Sequence, residues 1–66
     1  MDWNRRIEAL RILIGERRRL GRPTSYKTLA REIGCSVQQL GEWRDGAIPS
    51  VAMGEKIAEA EDRFAL

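Results

Sequence analysis

The run YKTLAREIGCSVQQLGEWRDG, from Tyr26 to Gly46, leaves this chain little choice of fold. Apolar residues fall at Leu29, Ala30 and Ile33, then at Cys35, Val37, Leu40 and Trp43 across and after a Gly34-Cys35-Ser36 break. Both halves have helical spacing, and each predicts a helix of about two turns. Helices that short are not stable alone in water. Flanking sequence must hold them at a fixed angle, which leaves one of them free to be presented to a partner.

The flanks are suited to that task. Asp2 is placed to cap a first helix over about Trp3–Arg19, where Trp3, Ile7, Leu10 and Ile14 form one apolar stripe that Leu13 widens. Ile12 points to the far side, either as an ordinary exposed apolar residue or as a contact with a second copy. Arg17, Arg18 and Arg19 put cations beside the negative end of the helix dipole, by default as a solvated helix end. Gly21 reads as the helix stop, and Pro23 prevents continuation.

Thr24 or Ser25 caps a second helix over about Tyr26–Ile33, and Gly34 stands where the chain needs a positive φ. Ser36 and Gln39 have the spacing of a capping box and open a third helix, Val37–Arg44, which stops at Asp45-Gly46. Ser50 caps a fourth helix from Val51 to about Arg63 or beyond. It turns Met53, Ile57, Ala60 and Phe64 inward and Glu55, Glu59, Glu61 and Asp62 outward. There is no strand pattern, repeat or linker. The expected fold is all-α, a compact bundle of four short helices, or at most five, in a single domain spanning residues 1–66.

Composition bounds the chemistry. Sixty-six residues, 42% apolar, allow one modest core near the lower limit of independent stability. No apolar run approaches the roughly 20 residues that span a bilayer. The opening MDWNRRIEAL lacks a secretory pattern, so a cytoplasmic location is expected. With one cysteine and no histidine, an internal disulfide, a zinc site and a histidine-centred catalytic site are not expected. No nucleophile–base pair, phosphate-cradling loop or metal-ligand spacing stands out, which argues against an enzyme, a metal or a cofactor. The net charge of +2 conceals an asymmetry. Residues 1–31 carry nine Lys/Arg against three Asp/Glu, and residues 32–66 carry three against seven. Either an anionic partner meets one side, or the charges merely keep helix faces soluble.

Leu29-Ala30-Arg31-Glu32-Ile33-Gly34-Cys35-Ser36, then Leu40, Trp43, Gly46, Pro49 and Ile57-Ala58, resemble the Cro/C1-type, lambda repressor-like helix-turn-helix family. In that family's pattern a small residue sits midway along the first motif helix, here Ala30, and a glycine at the turn, here Gly34. An aliphatic residue follows inside the second helix, here Leu40, with an aromatic near its end, here Trp43. The likeness covers about Thr24 to Ala60, and the first helix only in general character. Family domains commonly carry a fifth helix, for which this chain has no full counterpart. The resemblance implies a small regulator of phage or mobile-element type that represses an operon by binding double-stranded DNA as a dimer on a pseudo-palindromic operator. The rival readings are a protein-interaction module, such as an antitoxin that also binds DNA, and, ranked lower, a DNA-bending factor, which typically adds a wing of strands.

In such a module the second motif helix enters the major groove. Val37, Gln38, Gly41 and Glu42 then face outward as base-contacting candidates, with Gln39 at the edge. Gln38 suits adenine and Val37 a thymine methyl. Glu42 suits a cytosine amino group or, alternatively, an ion pair with a basic neighbour. Gln39 either reaches a base or only completes its capping box. Gly41 either permits close approach to DNA or is merely tolerated. Phosphate-contacting candidates are Arg22, Thr24, Ser25, Tyr26, Lys27, Arg31 and Arg44. Trp43 and Cys35 read as core residues rather than as a base-stacking ring and a reactive thiol. A second copy would meet the chain through the C-terminal helix, at Phe64 and Leu66, or through Ile12.

Overall fold

The computed structural model describes residues 2–65. Four helices follow in order: α1 (Trp3–Arg17), α2 (Tyr26–Ile33), α3 (Val37–Arg44) and α4 (Val51–Ala65), with no strand among the described residues. Leu66, one of the residues weighed for a dimer contact, lies outside them. No described helix is long and apolar enough to cross a membrane.

Each start is set by a local cap. The Asp2 carboxylate accepts from the Arg5 N–H, the Ser25 hydroxyl from the Thr28 N–H and the Ser50 hydroxyl from the Met53 N–H. At α3 the box is reciprocal: the Gln39 N–H donates to Ser36 Oγ at 3.1 Å, and the Ser36 N–H donates to Gln39 Oε1 at 2.9 Å. These bonds satisfy amide donors that the first turn leaves without helical partners.

The first three helix ends share one device. The N–H groups of Leu20, Cys35 and Ala47 reach back to the carbonyls of Gly15, Ala30 and Glu42, five residues earlier. This closure needs a left-handed residue just before the returning N–H. Gly34 (φ 92°) and Gly46 (φ 114°) fill that place after α2 and α3, but α1 uses Arg19 (φ 56°). The expected stop at Gly21 is therefore corrected: α1 ends at Arg17, and its turn is made by an arginine. A left-handed arginine costs about 1 kcal/mol that glycine avoids. Arg19→Gly is expected to stabilise the fold by up to that amount, raising the midpoint of a thermal melt by several degrees. An unchanged or lower midpoint would show that the arginine is held by something other than this turn.

Ile7, Leu10 and Ile14 of α1, Leu29, Ala30 and Ile33 of α2, Leu40 and Trp43 of α3, and Ile57 and Ala60 of α4 form the buried core. Trp3, Leu13, Tyr26, Cys35, Met53 and Phe64 pack on it half-buried. Burial of the Cys35 thiol raises its pKa, as suits a packing residue rather than a nucleophile. The backbone of α3 lies against α1 and α2 and makes no close approach to α4. The same holds for α4, so α3 and α4 each flank the α1–α2 pair without meeting one another.

Charge ties the two ends of the sequence together. Arg6 pairs with Glu61 in a part-buried contact, and Arg18 pairs with Glu32 at 2.6 Å. Arg17 donates from Nε to the Phe64 carbonyl (2.7 Å) and from Nη2 to the Ala65 carbonyl (2.9 Å), closing the end of α4. Arg63 donates to the Glu32 carbonyl at the end of α2 (2.7 Å). The Arg17–Arg19 run is thus not simply a solvated end, and Glu61 is not simply part of an outer acidic face. Two of the nine cations of residues 1–31, Arg6 and Arg18, are thus matched by carboxylates of the acidic half.

Candidate nucleic-acid interface

The outward face of α3 follows from what its inward face buries. Leu40 (0% exposed) and Trp43 (4%) point into the core, so Val37, Gln38, Gly41 and Glu42 fall on the other side at helical spacing. Val37, Gln38 and Glu42 are exposed, and Gly41 is half-buried. The side chains of Gln38 and Glu42 make no hydrogen bond or ion pair among the described residues. Gln39 is half-buried, with its side-chain oxygen engaged in the capping box. A Cβ on Gly41 would meet only Arg44 Nη2, at 3.9 Å, so nothing inside the protein requires glycine there.

On α2, Lys27 and Arg31 are exposed, one turn apart on one side, and neither is paired among the described residues. Arg22 is likewise exposed and unpaired in the preceding loop. Arg44 is exposed at the end of α3, where it donates to Asp45 Oδ1 at 3.4 Å. Lys27 and Arg31, with Arg22 before them, are the cations of this region not held by a carboxylate.

Three of the expected phosphate-contacting residues are engaged within the fold. Thr24 is 2% exposed: its N–H donates to the Arg11 carbonyl, its own carbonyl accepts from Arg11 Nε, and its hydroxyl does not face solvent. Tyr26 is half-buried with its hydroxyl donated to Glu8, while the guanidinium groups of Arg11 and Arg44 lie 4.3 and 5.7 Å from its ring centre. Ser25 is exposed, but its hydroxyl is occupied as the α2 cap and as donor to Thr28 Oγ1 at 3.1 Å. Thr24 and Tyr26 fix α2 to α1.

That anchoring cluster was not expected from the sequence. Glu8 accepts from Tyr26 and from Arg11, the latter at 2.6 Å. The Tyr26 hydroxyl, with Arg11 beside it, holds the Glu8 carboxyl below the usual range against the opposing effect of burial. A depressed folded-state pKa stabilises the fold above the unfolded value, and that contribution is lost as pH falls through the folded value. Glu8→Gln is therefore expected to shrink the loss of thermal stability on acidification below the ordinary carboxylate range. An acid limb identical to that of the parent would sink this assignment.

Of the surfaces considered for a second copy, Phe64 is half-buried on the core, with Arg18 and Arg63 lying 5.5 and 5.6 Å from its ring centre. Part of its ring surface is thus already taken up by this chain's own core and arginines. Ile12 is 47% exposed and lines a groove of about 550 Å³ with Gly15, Arg19, Arg22 and Pro23. Ile48 and Val51 are more exposed still, at 80% and 82%, and no signal in the sequence marked either as a contact.

Comparison of the chain with protein-family models, curated proteins and solved structures finds no match.

Proposed function

We propose that the chain is a sequence-specific double-stranded-DNA-binding regulator, a small repressor of Cro/C1 type in which α2 and α3 form a helix-turn-helix. One observation carries the reading: α3 presents an exposed face whose side chains have no partner among the described residues, beside unpaired cations on the helix before it. In this reading α3 lies in the major groove, with Gln38 and Val37 toward base edges. Lys27, Arg31 and Arg22 meet phosphates and supply affinity for any sequence. The missing side chain at Gly41 lets the helix sit close to the base edges. A single module of this size covers only a few base pairs, so the operator is pseudo-palindromic and the working form a homodimer. Phage or mobile-element origin is what the resemblance to that family implies, and a cytoplasmic setting is proposed with it.

Selection from a random-sequence duplex pool, followed by titration across salt concentration, tests the proposal. An enriched inverted repeat and a steep fall of affinity with salt are expected. Lys27→Ala and Arg31→Ala should each weaken selected and unselected duplexes alike and reduce the salt slope by about one. Gln38→Ala should instead relax base preference. No enriched motif and no salt slope would refute the DNA reading and favour a protein-interaction module.

A further inference from the structure

Three carboxylates of this small domain are engaged across its helices: Glu8 with Tyr26 and Arg11, Glu32 with Arg18 and Arg63, Glu61 with Arg6. Glu16, Glu55, Glu59, Asp62 and Glu42 are exposed without such partners among the described residues, and the one of them on α3 is Glu42. It is exposed on the outward face of α3, and no cation pairs with it among the described residues. The ion pair that its basic surroundings suggested is not formed: the nearest cation in sequence, Arg44, donates instead to Asp45. Facing a polyanion, an unpaired carboxylate opposes binding unless it gains a specific donor. In the major groove cytosine is the one base whose polar edge presents only a donor, its N4 amino group, whereas adenine sets the N7 acceptor beside its N6 donor.

We infer that Glu42 is a specificity-determining residue that selects cytosine in the DNA site. The inference rests on the proposed DNA-binding role and extends it. Gln38 and Glu42 are four residues apart on one helix face, and both side chains lack internal partners. That spacing advances about 6 Å along the helix axis. Base pairs are stacked about 3.4 Å apart. The two contacts therefore fall about two base pairs from one another where α3 follows the groove. Gly41 lies between them without a side chain to separate either one from the base edges. Glu42 also discriminates by exclusion: opposite an acceptor edge such as guanine O6 or thymine O4, its charge finds no proton and repels.

The experiment is a change of sign. Sites are selected with the parent chain, and binding of the parent, Glu42→Ala and Glu42→Gln is then measured on the enriched duplex and on single-base variants. Helical content of each variant is checked by circular dichroism. The expected result is a cytosine in each half-site whose replacement weakens the parent by about tenfold to a hundredfold. Glu42→Ala should lose that discrimination and bind the enriched duplex more weakly, while Glu42→Gln should shift the preference at that position toward adenine. Replacing the cytosine by N4-methylcytosine, whose methyl takes the place of the groove-facing hydrogen, should weaken the parent and leave Glu42→Ala unchanged. If both variants bind every duplex more tightly than the parent with an unaltered motif, Glu42 is only a repulsive surface charge. The inference then fails while the DNA-binding role stands. If the parent enriches no motif, both fail.

Discussion

Gly15→Ala is expected to destabilise the domain by at least about 2 kcal/mol, although alanine is the better helix former by about 1 kcal/mol. The reason is a close approach between α1 and the loop that follows it. A Cβ at position 15 would lie 2.1 Å from the Arg22 carbonyl oxygen and 3.1 Å from Pro23 Cα. These are backbone atoms and cannot turn aside as a flexible side chain can. The loop is held at that distance by the paired bonds between Arg11 and Thr24, each 3.0 Å long, and by the Leu20 N–H returning to the Gly15 carbonyl. Relief of the clash therefore requires breaking the attachment of the loop to α1, and with it the placement of α2. Thermal or urea unfolding of the variant gives the answer by its direction, since helix propensity alone would make it more stable. A midpoint at or above that of the parent would mean that the loop does not approach α1 in this way.

Leu40→Ala is expected to cost about 2–5 kcal/mol, the range for truncating a fully buried leucine. Leu40 is completely buried, and with Trp43 it is the main apolar anchorage of α3. A core of this size rarely supplies more than about 3–5 kcal/mol in total, so much of the variant should be unfolded at room temperature. Circular dichroism would read this as loss of most of the helical signal or as a midpoint shifted far downward. Retention of a cooperative melt within a few degrees of the parent would show that α3 is held by something other than these two side chains.

What could be read in the sequence divides along a physical line. The limits of α2 and α3 were legible because they are set locally: Ser25 and Ser36 cap, Gly34 takes the positive φ, and Asp45-Gly46 ends the run. The inward set was legible for the same reason, since Leu29, Ile33, Leu40, Trp43, Ile57 and Ala60 follow from periodicity alone. What was missed depends on partners distant in sequence. Gly15 carries no signal until residue 22 is brought against it, and Arg17 looks like any terminal arginine until α4 delivers two carbonyls to it. Thr24 and Tyr26 have the residue types of a phosphate site, yet tertiary contacts with Arg11 and Glu8 turn them inward. Arg19 misled because local preference puts glycine at that turn, and the neighbouring Gly21 offered itself. Within the candidate interface, the outward positions of α3 could be counted from the helix period. Whether Glu42 was paired could not.

The one-sided anchorage of α3 bears on how such a chain can vary. The helix is anchored through one side and its caps, while α4 leaves the other side uncovered. Substitution of Val37, Gln38 or Glu42 opens no cavity and breaks no internal bond. Drift at those positions is therefore nearly invisible to folding, whereas drift at Leu40 or Gly15 is not. Descendants of this chain can exchange what the helix touches one residue at a time and inherit the frame unaltered.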